Sequence, residues 1–136
     1  MALMVFTDKM MSGVAEIDAQ HRALIDIING LYAIALGKPG HRPLGDVLED
    51  LSAYLAGHLA YEEDLFVRTD FPGAAKHKAE HEHLRKKIAA YKAASGKGGD
   101  MMVALDLLHF LKQWLTAHIQ VADKEACAHF NRHGIS

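Results

Sequence analysis

The chain has 136 residues, half of them hydrophobic and 24% charged, with a formal net charge of -2. That composition belongs to ordinary globular domains with enough chain to bury a core, and the lack of a basic block argues against nucleic acid or an anionic membrane as the main partner. The single cysteine, Cys127, excludes an internal disulfide and a CxxCH haem attachment and fits a reducing compartment, whereas ten histidines are an excess that needs a cause.

Taken in chain order, residues 1–17 read as an N-terminal arm, with Met10 and Met11 packing it down. Its apolar run is too short for a secretory signal and far too short to span a bilayer, so the expectation is a cytoplasmic chain without membrane insertion. Breakers then fall at Gly37-Lys38-Pro39-Gly40 with Pro43, at Phe71-Pro72-Gly73, and at Ser95-Gly96-Lys97-Gly98-Gly99. Between them the sequence predicts helices over about 18–37, 43–69, 73–94 and 100–118, with Asp18 as the N-cap of the first. Each has apolar positions at steps of three and four: Leu24, Ile28, Leu31 and Ala35; Leu48, Leu51, Leu55 and Leu65; Leu84, Ile88 and Tyr91; Ala104, Leu108, Leu111 and Leu115. Residues 119–136 read as a short C-terminal extension. Short loops make successive helices antiparallel neighbours, so the expected fold is all-α, an up-down-up-down four-helix bundle forming one domain.

The same four stripes carry polar groups: His21 on the first, His58 and Glu62 on the second, His77 and His81 on the third, His118 and then Asp123 on the fourth. A core face excludes charge unless something pairs with it. Distances from the loops place these groups at one height. His21 lies about 18 residues before the first loop and His58 about 18 after it, and the pairings across the other two loops agree within about a turn at roughly 1.5 Å per residue. All seven are expected in one slab near one end of the bundle. His58 to Glu62 and His77 to His81 are i, i+4 pairs and share a face. His118 to Asp123 is i, i+5 and does not, so the fourth helix is expected to distort after His118.

Five imidazoles and two carboxylates are too many for tetrahedral zinc and suit two ions of higher coordination number, iron foremost. Seven protein ligands, even with both carboxylates bridging and a solvent-derived bridge, leave one position for a small exogenous ligand, in a pocket expected to be lined by Leu115, Trp114, Leu24, Ile28 and Phe66 with no further protonatable group. The remaining histidines, His41, His83, His109, His129 and His133, read as solvated or locally bonded. The run Glu80, Glu82, Arg85, Lys86 and Lys87 reads as a solvated face with helical ion pairs, and Cys127 as a buried small residue.

The segments IDAQH at 17–21, HLAYEE at 58–63, HKAEH at 77–81 and WLTAHIQVAD at 114–123 resemble, in order and spacing, the successive motifs of the hemerythrins, the single-domain bacterial form above all. The resemblance covers nearly the whole chain. It implies a non-haem di-iron site that binds dioxygen reversibly. By that likeness His77, His81 and His118 hold one iron, His21 and His58 hold the other, and Glu62 and Asp123 bridge them beside an oxo or hydroxo bridge. Leu115 matches the family's pocket leucine. Phe6, Phe66 and Ala126 depart from residues common in relatives (Trp, Met and Tyr), without touching a ligand position.

The expected function is therefore oxygen carriage, storage or delivery by a monomer, with an oxygen-consuming enzyme as a possible recipient. The alternatives are a di-iron enzyme acting on peroxide, nitrite or nitric oxide, and an oxygen or redox sensor module. Ferritin-like di-iron enzymes favour carboxylates in ExxH pairs, and here the one such spacing, Glu80 to His83, is read as facing outward. A haem with two axial histidines would leave Glu62, Asp123 and three histidines unexplained.

Overall fold

The computed structural model describes residues 6–136, with the backbone alone for Lys9, Ile119 and Gln120. A 3-10 turn at Asp8–Met10 leads into helix α1, Ala15–Ala35. Helices α2, Leu44–Thr69, α3, Ala74–Ala94, and α4, Asp100–Ala117, follow. The chain then makes a π-helical turn, His118–Asp123, and ends in α5, Lys124–Arg132. No strand occurs among the described residues. Helix α1 packs on α2 and α4, and α2 packs on α3. This is an all-α four-helix bundle, and none of its described helices is long and apolar enough to cross a membrane.

The helix ends follow local chemistry. Helix α1 begins at Ala15 rather than at Asp18, after Val14, which offers no side-chain cap; just ahead of the helix the Ser12 hydroxyl accepts the Val14 N–H at 3.1 Å. Asp18 is buried inside the first turn and accepts the Ser12 N–H at 2.8 Å, which ties the arm to the helix. Helix α2 starts after Pro43, whose φ of -58° already suits a helix. It stops where Asp70 turns left-handed at φ 50°, so that the Phe71 N–H returns to the Phe66 carbonyl at 3.1 Å.

The apolar stripes close on one another in two clusters. The larger joins Leu24, Ile28 and Leu31 to Leu48, Leu51 and Leu55, to Leu84 and Ile88, and to Leu108, Leu111 and Leu115. Burying each such side chain contributes about 1.5–3 kcal/mol. The smaller cluster joins Val14 and Ile17 to Leu65 and Phe66 and to Ala126, Cys127 and Phe130. The short C-terminal extension expected over 119–136 carries α5, which is amphipathic and seals its apolar side, with Cys127 and Phe130 fully buried, against the end of the bundle. His129 is likewise buried rather than solvated, with its Nε2 2.8 Å from the Thr69 carbonyl, sixty residues back. Of the two arm methionines, Met10 packs into the larger cluster and Met11 is exposed.

Candidate metal centre

Between the two apolar clusters lies a polar layer. Along α1, His21 falls between Ile17 and Leu24; along α2, His58 and Glu62 precede Leu65; beyond Leu115, His118 and Asp123 precede Ala126. With His77 and His81 of α3 they make seven ionisable side chains, none more than 3% exposed.

Asp123 joins them through the π-helical turn. Five residues of a regular α-helix rotate by about 500°, which leaves the fifth well off the first one's face. The wider turn at His118–Asp123 cancels most of that excess, and Asp123 Oδ1 comes to 2.8 Å from His118 Nε2. Such bulges are frequent where a helix serves a site.

The ligand-type atoms fall into two sets, each with its members within 4.8 Å of one another: Glu62, His77, His81 and His118, and then His21, His58, Glu62 and Asp123. Both carboxylates reach across. Glu62 turns Oε1 to His77 Nε2 at 3.1 Å and His81 Nε2 at 3.2 Å, and Oε2 to His58 Nε2 at 3.2 Å. Asp123 turns Oδ1 to His118 and to His77, at 3.0 Å from the latter, and Oδ2 to His21 Nε2 at 2.7 Å.

Two observations test whether metal suits this cluster. Among the described residues, Nε2 of His21, His58 and His81, Oε2 of Glu62 and both oxygens of Asp123 are buried without a well-formed hydrogen bond. Orphans of that kind are costly in a protein interior. Metal–ligand bonds of about 2.0–2.2 Å also give octahedron edges of about 3 Å, the same spacing as these inter-ligand contacts. The residues fit a metal centre.

Without metal, protons take its place. For His77, burial alone would lower the imidazole pKa, but the close approach of Asp123 and Glu62 raises it to about 9. For His118, burial is again outweighed, by Asp123 close at hand and by Glu62, and it rises to about 10. For His58 burial prevails and lowers it to about 4. Burial presses Glu62 and Asp123 upward, and for Glu62 the Asp123 charge adds to it, but the surrounding histidines hold both below the usual carboxylate range.

The outward nitrogens have partners that the stripes did not reveal. His58 Nδ1 lies 2.6 Å from Gln20 Oε1, and its ring is stacked on Tyr54 at 5.4 Å. His81 Nδ1 lies 3.0 Å from Glu63 Oε2, which also accepts from Arg85 Nη2 at 3.2 Å; Arg85 in turn pairs with Glu82. His118 Nδ1 lies 3.5 Å from Glu80 Oε2, under the stacked ring of Trp114 at 4.1 Å. Glu80 and Arg85 therefore belong to the surroundings of the centre, and only part of their run is a solvated face. Tyr54 was within reach of sequence reasoning, since it stands four residues before His58 on the same face. Gln20, Glu63 and Glu80 adjoin ligand-type residues but meet rings on other helices, a pairing no spacing rule supplies.

The five residues expected around a small ligand are distributed over both clusters. Leu24, Ile28 and Leu115 belong to the larger cluster, Trp114 is half-buried at its edge over His118, and Phe66 belongs to the smaller cluster, against the His77 ring at 4.9 Å. The expectation of no further protonatable group nearby is corrected by Tyr54. Its hydroxyl is buried with no hydrogen-bond partner among the described residues, and burial first, then Glu62 and Asp123, raises its pKa well above the usual 10. A groove of about 430 Å³ between α3 and α4, with Lys76, Glu80, His83 and Trp114 on its walls, reaches His118 from outside. His41, His83 and His109 are exposed.

The layer of buried histidines and shared carboxylates in a helical bundle has counterparts. Residues 12–128 match the family model described as "Hemerythrin HHE cation binding domain". A bacteriohemerythrin of Stenotrophomonas maltophilia is 32% identical over 97% of this chain and 87% of its own, and one of Methylococcus capsulatus is 32% identical over 91% and 94%. A hemerythrin-like protein of Naegleria gruberi is 30% identical over 79% and 77%. The crystal structure of a hemerythrin bearing a leucine-to-tyrosine substitution superposes with a TM-score of 0.78 at 27% identity, over 96% of this chain and 98% of that one. The chain belongs to the hemerythrin family, a class of metal-binding helical bundles.

Proposed function

We propose that the protein binds dioxygen reversibly at a di-iron centre, for carriage, storage or delivery. The observation that carries this reading is the division of both carboxylates. Glu62 directs one oxygen to His77 and His81 and the other to His58, and Asp123 directs one to His77 and His118 and the other to His21. In this proposal His77, His81 and His118 hold one iron, His21 and His58 the other, and Glu62 and Asp123 bridge, beside an oxo or hydroxo bridge. Imidazole and carboxylate together suit iron. When bound, the iron pair would supply the redox and ligand-binding chemistry, with the two-histidine ion, poorer in protein donors, taking the small ligand. The chain's own residues bury the pair, since none of its ligand side chains is more than 3% exposed, and dryness around a reduced centre slows its loss to water. A cytoplasmic monomer feeding an oxygen-consuming enzyme completes the proposal, and the free, buried Cys127 is compatible with a reducing compartment.

The test is to count metal per chain and record absorption spectra with and without oxygen. About two irons and a colour reversed by removing oxygen are expected; a single zinc or a haem spectrum would overturn the di-iron reading. The second reading, a redox enzyme, draws on the buried Tyr54 hydroxyl beside His58. Rapid irreversible oxidation with turnover of peroxide or nitrite would favour it, and oxygen-dependent binding to a partner protein would favour a sensor.

A further inference from the structure

The groups behind the imidazoles differ in charge between the two halves of the centre. Behind the two-histidine half, His58 Nδ1 meets the neutral amide of Gln20. Behind the three-histidine half, His81 Nδ1 meets the carboxylate of Glu63, and His118 Nδ1 lies near that of Glu80. An imidazole that donates to a carboxylate is fixed with its Nε2 lone pair directed inward and becomes a more basic donor; an amide partner does the first and little of the second. Basic donors favour the more highly charged of two ions.

The Glu63 contact is also restrained. The oxygen that meets His81 is the one Arg85 Nη2 reaches at 3.2 Å, so the guanidinium withdraws part of the charge the imidazole would otherwise feel. Glu82 competes for the same arginine from one turn earlier on α3. Four side chains on two helices thus form a graded line from solvent to the ring of His81.

We propose that Glu63 and Arg85 act as an opposed pair of positioning residues, Glu63 strengthening and Arg85 restraining the preference of the three-histidine half for the more highly charged ion. This rests on the di-iron reading above. It makes the three-histidine ion the first to be oxidised and the last to be reduced.

The test is a spectroelectrochemical titration of the full, iron-loaded chain, with iron content measured alongside. Glu63→Gln is expected to raise the midpoint potential of the first one-electron oxidation, and Arg85→Gln, which keeps a neutral donor to Glu63, to lower it. A tenfold change in the ratio of ferric to ferrous binding corresponds to about 59 mV. Arg42→Gln, in an exposed pair with Asp50 far from the centre, is expected to leave the potential unchanged. A merely structural role would move both variants the same way. Shifts of one sign, or none, with two irons still bound overturn the inference alone; a parent protein without two irons overturns it together with the di-iron reading. Glu82→Gln provides a further arm if Glu63→Gln loses iron: releasing Arg85 toward Glu63 is expected to raise the potential, and a fall would overturn the proposal.

Discussion

Loading the centre at pH 7.5 is expected to expel about two protons per chain from its imidazoles, besides any that a bridging water gives up. In the metal-free fold His77 is raised to about 9 and His118 to about 10, so both carry a proton at that pH, while His58, pushed down to about 4, does not. A ligating imidazole must be neutral. Removing the two protons spans 9 less 7.5 plus 10 less 7.5, about four pH units, or roughly 5 kcal/mol at 1.36 kcal/mol per unit. That sum is subtracted from the apparent binding energy at pH 7.5 and disappears as pH approaches 10. Calorimetric titration with ferrous iron, without oxygen and in two buffers of different ionisation enthalpy, counts the protons directly. The apparent affinity should climb by about two decades per pH unit from 7.5 to about 9, by about one between 9 and 10, and then flatten. Linkage gives the same groups a sign in folding. The raised His77 and His118 stabilise the metal-free fold below their unfolded value of 6.5, and that contribution is lost as pH rises through 9 to 10. The lowered His58 stabilises above 6.5, and that is lost as pH falls toward 4. Proton release near zero with a flat affinity profile would refute the assignment of those protons to His77 and His118.

Three further outcomes are expected. His118→Ala should lower the iron content per chain by one or more while leaving the helical circular dichroism in place; unchanged iron would remove His118 from the ligand set. Phe130→Ala, at a fully buried ring against Phe66 and Phe71, should cost about 3–5 kcal/mol in denaturant unfolding of the metal-free chain. Gly13→Ala should cost about 1–2 kcal/mol, since φ is +88° there and a Cβ would meet the Asn131 side chain at 2.6 Å; a loss below half that would mean the arm is not pinned to the end of α5.

The four long helices were legible because their stripes repeat over many turns and their loops are marked by Gly and Pro. Six of the seven ligand-type residues were legible for the same reason: each is a polar interruption of a long apolar stripe. Asp123 was placed only by supposing a distorted helix, and the π-helical turn is that distortion. What stayed hidden depends on contacts between distant segments. Asp18 reads as a cap from its type, but it lies inside the first turn and accepts the Ser12 N–H from the arm. The apolar positions of α5, Ala126, Cys127 and Phe130, are too few for a nine-residue segment to announce itself as a packed helix. Gln20 and Glu63 meet histidines 38 and 18 residues away, and only the bundle's assembly decides which ring each one reaches.

The π-helical turn has a consequence beyond Asp123, best put as a change of phase. The buried positions of α4 and of the residue after it run 104, 107 and 108, 111, 115 and 118, and an unbroken helix would continue the 104, 108, 111, 115, 118 row near 122, 125 and 129. The buried positions that follow are 123, 126, 127, 129 and 130, and the most deeply buried of them, 123, 126, 127 and 130, keep a row displaced by one residue, with His129 at its edge. One extra residue, absorbed in a single wide turn, resets the clock for everything downstream. The slip that aims a carboxylate inward also aims Cys127 and Phe130 at Val14, Ile17 and Phe66. Inward carboxylate and packed end-helix are therefore set by one event in the backbone. Removing exposed Val121 would give a four-residue step that an ordinary α-helix keeps on one face, so both should survive together; adding an alanine there should lose both at once.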